Sequence, residues 1–145
     1  MNRYFLDTSA LVKIYHREAG SDYCLGLYAD EAPLIITELA RVELRSAIFR
    51  KQRETELSAK AVKAVLQRFE YDCKERYEVL HVASFVYDEA CSLLSRYGVF
   101  GLRTLDSLQF ATFLTYCEKD RDHFVCGDKK LSAVGEQEGV KTVFV

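Results

Sequence analysis

Short, wholly apolar runs recur along this chain between longer stretches with helical spacing. Tyr4-Phe5-Leu6, Leu34-Ile35-Ile36 and Phe124-Val125-Cys126 are apolar throughout, as strands covered on both faces are. Arg3 to Asp7, Leu34 to Thr37, Glu78 to Val82, His123 to Cys126 and Lys141 to Val145 therefore read as strands. Helices are predicted over Ser9 to Tyr15, with Thr8 or Asp7 as cap, and over Ser21 to Ala29, with Ser21 as cap. Further helices are predicted over Glu38 to Lys51, Ser58 to Tyr77, Ser84 to Tyr97 and Leu102 to Cys117, with a short one from Lys129. Gly98 stands where a helix C′ glycine belongs. Strands alternating with helices predict an α/β fold of three layers, α/β/α, with a mostly parallel central sheet.

Four acidic residues break this pattern. Asp7 closes the first strand run, and Asp128 follows the fourth. In open α/β sheets, sites form beyond the carboxyl ends of strands, where both fall. Glu43 shares a helix face with Leu39, Ala40 and Ala47, and Asp106 shares one with Leu102, Phe110 and Phe113. Carboxylates on apolar faces are paired or hold a metal. Asp7 and Asp128 also suit helix N-caps, Glu43 has Arg41, Arg45 and Lys51 as possible ion-pair partners, and Asp106 has Arg103. Aimed at one spot, the four carboxylates would repel until a cation neutralised them, and oxygen-only ligands favour Mg²⁺ or Mn²⁺. That chemistry points to metal-assisted phosphodiester cleavage.

Composition narrows the field. With 145 residues, 49% hydrophobic and 29% charged, the chain is expected to be a single globular domain over 1–145. A net charge of −2 argues against broad nucleic-acid binding through bulk charge but leaves room for a local basic patch. Lys13, Arg17, Arg41, Arg45, Arg50, Lys51 and Arg53 either hold RNA phosphates or form an ordinary solvated face beside Glu38 and Glu54. Tyr15, Tyr23 and Tyr28 are candidates for base stacking or for packing at the core edge. Five cysteines without a C-x-x-C pair argue against a disulfide framework or zinc ribbon. His123 and Cys126 lack a second ligand pair. His16 and His81 read as a surface and a strand residue, and no nucleotide-binding glycine loop occurs. No apolar run reaches about 18 residues, so no membrane association and a reducing, cytoplasmic setting are expected.

The motifs in order resemble the PIN-domain ribonucleases, specifically the toxin nucleases of VapBC-type toxin–antitoxin pairs. They are Phe5-Leu6-Asp7-Thr8-Ser9-Ala10-Leu11-Val12-Lys13, Glu43 in the helix after the second strand, Leu102 to Ala111 around Asp106, and Gly127-Asp128-Lys129-Lys130-Leu131. The resemblance covers essentially the whole chain. It implies a metal-dependent endoribonuclease using Mg²⁺ or Mn²⁺, with Asp7, Glu43, Asp106 and Asp128 as metal-binding and catalytic residues and Ser9, or Thr8, as a supporting hydroxyl. It also implies products with a 5′-phosphate and a 3′-hydroxyl, an RNA substrate, a small protein antitoxin and a homodimer. Apolar residues from Glu38 to Tyr77, such as Ile48, Phe49, Val62, Val65, Leu66 and Phe69, would supply either core or that partner surface. Cys126 departs from the family pattern, which often has Ser or Thr there; a thiol is the poorer hydrogen-bond partner. The rival is a non-catalytic PIN-like RNA- or protein-binding module. Haloacid-dehalogenase and receiver enzymes fit less well, because Ser9, Asn2 and Arg3 stand where they need acids.

Overall fold

The computed structural model describes residues 2–145. Five strands, β1 (Tyr4–Leu6), β2 (Leu34–Thr37), β3 (Tyr77–Leu80), β4 (His123–Cys126) and β5 (Lys141–Phe144), form one sheet in the order β3-β2-β1-β4-β5. Every pairing is parallel. Seven α-helices connect them: α1 (Thr8–Tyr15), α2 (Ser21–Ala29), α3 (Glu38–Arg53), α4 (Ala59–Glu75), α5 (Ser84–Tyr97), α6 (Thr104–Tyr116) and α7 (Lys129–Gln137).

The period-two geometry of strands divides the core. Leu6, Leu34, Ile36 and Val125 pack against α1 to α4, with Leu11, Leu44, Ile48, Val62 and Phe69. Phe5, Ile35, Phe124 and Cys126 face the other way, onto α5, α6 and α7. There Phe5, Phe110, Phe113 and Phe124 meet in edge-to-face pairs with ring centroids 5.0–5.6 Å apart, a geometry aromatic quadrupoles favour. The expected three-layer α/β/α fold is therefore present, with a wholly rather than mostly parallel sheet.

Several element ends shift by one or two residues, and α2 is capped by Gly20, with Ser21 its first residue rather than its cap; α5 ends at Tyr97 as expected. β3 runs Tyr77–Leu80 instead of Glu78–Val82, because its partner strand offers only Leu34 to Thr37 before turning into α3. Tyr77 is thus a strand residue, and His81 lies beyond the strand, against Glu38. Gly98 is not the left-handed glycine: its φ is −60°, and the chain continues as a 3₁₀ turn over Gly98–Phe100. The left-handed residue is Gly101, with φ +98°, a backbone region glycine enters without steric penalty.

Candidate active site at the carboxyl edge of the sheet

β1 pairs with β2 on one side and β4 on the other, so the strand order reverses at β1. Ligands bind at this kind of switch point, beyond the strand ends. A pocket of about 590 Å³ opens there. Asp7, Ser9, Glu43, Asp106 and Asp128 all line it, together with Thr8, Arg103 and Gln109. The four carboxylates reach it by two routes. Asp7 and Asp128 follow directly from the ends of β1 and β4. Glu43 and Asp106 lie on helix stripes that pack on the sheet and then run past its edge, where the same face becomes pocket wall.

Asp7 is both a cap and a pocket residue. Its Oδ1 accepts from the Ala10 backbone N–H at 3.0 Å and from Ser9 Oγ at 2.6 Å, so Asp7, not Thr8, caps α1. It is only 3% exposed. Burial raises its pKa to about 7 against the pull of the Ser9 and Ala10 hydrogen bonds, and the charges of Asp106 and Glu43 push the same way as burial. Ser9 Oγ also accepts from the Gly127 N–H at 2.7 Å, tying the end of β1 to the end of β4. A Cβ at Gly127 would stand 3.4 Å from that oxygen and 3.0 Å from Lys13 Cε.

Glu43 is held by a chain of polar groups rather than by a cation. Thr8 Oγ1 donates to Glu43 Oε1 at 3.0 Å, and Gln109 Nε2 donates to the same oxygen at 3.0 Å. Gln109 Nε2 also reaches Thr8 Oγ1 at 2.9 Å, while Gln109 Oε1 accepts from Thr37 Oγ1 at 3.0 Å. Thr37 in turn accepts from the Ala40 N–H and caps α3. The ion pairs considered for Glu43 do not form: Arg45 pairs with Glu70, and Lys51 with Glu18 and Glu56.

Asp106 and Asp128 share a cation. Arg103 Nε donates to Asp106 Oδ2 at 3.0 Å, and its NH2 group lies 3.5 Å from Asp128 Oδ2. Asp128 Oδ1 accepts from the Leu131 N–H at 2.9 Å and caps α7. Burial raises the Asp106 pKa and outweighs the lowering by Arg103, with the Asp128 charge adding to the rise. The Arg103 pair foreseen for Asp106 is therefore real, and it lies inside the pocket rather than replacing it.

Cys126 does not enter the pocket. Its side chain belongs to the core on the α5–α7 face, and its Sγ approaches the Asp128 carbonyl at 3.8 Å. Burial pushes the thiol up to about 12, so it behaves as an apolar group. His123 and Cys126, an odd and an even position of one strand, face opposite sides of the sheet. His123 stacks on Tyr4, with centroids 4.9 Å apart.

The basic residues divide. Arg50, Lys51, Arg53 and Lys13 line the pocket. Arg17 pairs with Asp22 and Arg45 with Glu70, away from it. Lys13 and Lys51, each 8% exposed, converge on Glu18 at 3.2 and 3.4 Å. Against burial, which raises it, the Lys13 hydrogen bond and the two lysine charges hold the Glu18 carboxyl below its usual range. Tyr15 and Tyr28 are core-edge residues whose hydroxyls donate to the buried Asp72 at 2.6 and 2.9 Å. Of the apolar residues on α3 and α4, Ile48, Val62 and Phe69 are core and Phe49 is half exposed.

Gln109 went unforeseen. Its signal was a polar residue inside the buried run Ser107-Leu108-Gln109-Phe110-Ala111, one turn after Asp106. Position alone does not say that its amide reaches Glu43.

An all-oxygen donor set of four carboxylates with two neighbouring hydroxyls suits Mg²⁺ or Mn²⁺. Asp7 supports the fit, since it is buried and lacks a cationic partner among the described residues. Among those residues no group of three or more His, Cys, Asp or Glu side chains stands ready-made to hold a metal. The Arg103 guanidinium stands between Asp106 and Asp128.

A PIN domain family model matches residues 4–137. The fold is similar to that of Mycobacterium tuberculosis VapC20, a sarcin–ricin loop cleaving toxin, with 19% identity, TM-score 0.70, and 91% of this chain and 95% of that one covered. It is similar to FitAcB from Neisseria gonorrhoeae at 14% identity and TM-score 0.70, covering 98% and 96%. DNA-bound VapBC from Salmonella typhimurium matches at 12% identity and TM-score 0.68, covering 99% and 98%. No curated protein sequence matches. Because the family model spans almost the entire chain, this protein belongs to the PIN domain family.

Proposed function

We propose that this protein is a metal-dependent endoribonuclease and the toxin of a toxin–antitoxin pair. The observation that carries the nuclease reading is the convergence of Asp7, Glu43, Asp106 and Asp128 on one pocket at the sheet's switch point. No serine, cysteine or histidine there is set up as a covalent nucleophile.

Asp7, Glu43, Asp106 and Asp128 would hold Mg²⁺ or Mn²⁺. Such an ion lowers the pKa of a bound water and shields the oxygens of an in-line displacement at phosphorus. The chain's own residues prepare the site. Ser9 and the Ala10 N–H fix one oxygen of Asp7, leaving Oδ2 without a partner among the described residues. Thr8 and Gln109 fix Glu43 Oε1 in the same way. Ser9 is thus a positioning residue that also sets the β1–β4 spacing. Arg50 and Arg53 supply positive charge along the same pocket, where a strand's phosphates would lie, while Lys13 and Lys51 are taken up by Glu18. Attack by water on phosphorus, with the 3′ oxygen leaving, gives a 5′-phosphate and a 3′-hydroxyl.

The toxin reading rests on structures similar in fold, which include VapBC and FitAcB complexes. The partner is a small protein antitoxin whose arginine enters the pocket; Arg103 shows that a guanidinium fits between Asp106 and Asp128. A second copy would cover the apolar side chains of α5, α6 and the turn between them, where Phe85, Val99 and Phe100 are 57%, 87% and 72% exposed. No described helix is long and apolar enough to cross a membrane; we place the protein in the cytoplasm.

The test is incubation of the purified protein with structured RNA and Mg²⁺ or Mn²⁺. Cleavage abolished by EDTA and by Asp7→Asn supports the reading. RNA binding without cleavage under any metal would instead favour a non-catalytic binding module.

A further inference from the structure

The pocket's two halves differ in how their charge is met. Asp7 and Glu43 are held by hydroxyls, an amide and a backbone N–H, with no cation in contact. Asp106 and Asp128 are bridged by the guanidinium of Arg103. Arg103 is the residue just before α6, and its backbone is extended there, with φ −96° and ψ 162°. Its side chain is 71% exposed and makes no cap bond to the helix. The guanidinium is therefore held by two carboxylates while most of its side chain faces solvent.

Three facts about this contact matter together. The cation touches two residues that come from different elements, the start of α6 and the end of β4. Its seat is part of the same pocket that holds the other two carboxylates. The guanidinium end of this pair is solvent-exposed, and exposed ion pairs are weak, so a divalent ion can displace it. Once displaced, the side chain still hangs at the pocket mouth. A planar fork of N–H donors there matches the oxygens of a phosphodiester.

We propose that Arg103 is the resident counter-ion of the Asp106–Asp128 half, displaced by the divalent metal and then engaged by a phosphate of the bound nucleic acid. In the metal-free protein it screens two acids that would otherwise repel each other. In the loaded protein it becomes a phosphate-positioning residue. Metal and guanidinium compete for the same two carboxylates, whereas metal and phosphate engagement of Arg103 favour each other. This inference rests on the metal-dependent reading above, and the experiment separates the two.

Metal-free wild-type protein, Arg103→Ala and Arg103→Lys are each titrated with Mn²⁺, free Mn²⁺ being read by its electron paramagnetic resonance signal. A second arm measures binding of a short phosphorothioate oligoribonucleotide, by fluorescence anisotropy, at saturating Mn²⁺. The high exposure of Arg103 makes folding of both variants expected, and circular dichroism checks it. Arg103→Ala should bind Mn²⁺ roughly two- to five-fold more tightly than wild type. It should bind the oligoribonucleotide about tenfold more weakly, the loss of a charge-assisted contact. Arg103→Lys, a cation without the fork, should fall between on both measures. Equal or weaker Mn²⁺ binding by Arg103→Ala overturns the competition, and unchanged oligoribonucleotide binding overturns the phosphate role. If wild-type protein takes up no Mn²⁺ at millimolar concentration, the metal-dependent reading itself fails.

Discussion

The amide of Gln109 donates to Glu43 Oε1 at 3.0 Å across 66 residues of sequence. It joins α6 to α3, and through Thr37 and Thr8 it also joins the ends of β2 and β1. Thr8, Thr37, Glu43 and Gln109 all have partners in this network, which is the condition under which such a network specifies one arrangement.

Gln109→Leu keeps the volume and removes both donor and acceptor. It leaves Thr37 and Glu43 short of partners, at a cost of about 1–3 kcal/mol each for groups that stay buried. We expect a lower melting temperature and a cleavage rate down by roughly tenfold to a hundredfold, as for outer-shell partners of metal ligands. Gln109→Glu should be worse than Gln109→Leu above neutral pH, since it sets a second carboxylate beside Glu43. Equal behaviour of both variants and wild type in thermal melts and cleavage assays would remove Gln109 from the site.

Asp7 predicts a pH dependence of stability. Its folded pKa is raised to about 7, from an ordinary value of 3.8. Between those values the folded state binds more protons than the unfolded state, so stability falls as pH rises from about 4 to about 7. The full loss from this one group is on the order of 4 kcal/mol. Asp7→Asn keeps the cap oxygen and cannot ionise, so its melting temperature should fall less over that window. Mn²⁺ should restore wild-type stability at pH 7.5 and leave Asp7→Asn nearly unchanged. Parallel pH profiles for the two proteins would contradict the burial argument.

Asp106 gives a sharper sign. Its pKa is raised because burial and Asp128 outweigh Arg103. A raised carboxyl is destabilising once ionised, so Asp106→Asn should be stabilising at pH 8 without metal. The gain should show as a higher melting temperature than wild type under those conditions. A lower melting temperature would mean that the Arg103 pair dominates and that Asp106 is a structural residue.

Much of this was legible in advance, and the exceptions are physical. The apolar runs at Phe5, Ile35 and Phe124 read as buried strands because both of their faces are covered. Asp7 and Asp128 were legible because strand ends in parallel sheets point at the site. Glu43 and Asp106 stood out as charges on apolar faces. Strand ends were less legible, since β3 stops at Leu80 only because β2 stops at Thr37. The helix end at Tyr97 was legible, but the left-handed glycine was not, because a 3₁₀ turn carries the chain past Gly98 to Gly101. The basic residues of α1 and α3 could not be sorted from composition; helical spacing sends Arg50 to the pocket and Arg45 to Glu70. Gln109 and the double contact of Arg103 depend on distances that only the packed chain defines.

The toxin role makes its own prediction. Expression of this chain alone should arrest growth, and Asp7→Asn should relieve the arrest. Co-expression with an adjacent small gene should also relieve it and give a complex that co-purifies. Harmless expression of a protein shown to cleave RNA in vitro would count against the toxin role and leave the nuclease standing.

We read the four converging carboxylates as a metal-dependent ribonuclease site. The most direct test of that reading is the cleavage rate of one structured RNA in Mn²⁺ by wild-type protein, Asp7→Asn and Asp106→Asn, with an EDTA control. We expect cleavage that EDTA stops and that each substitution lowers by roughly a hundredfold or more. Cleavage by both variants at the wild-type rate, or undiminished in EDTA, would contradict it.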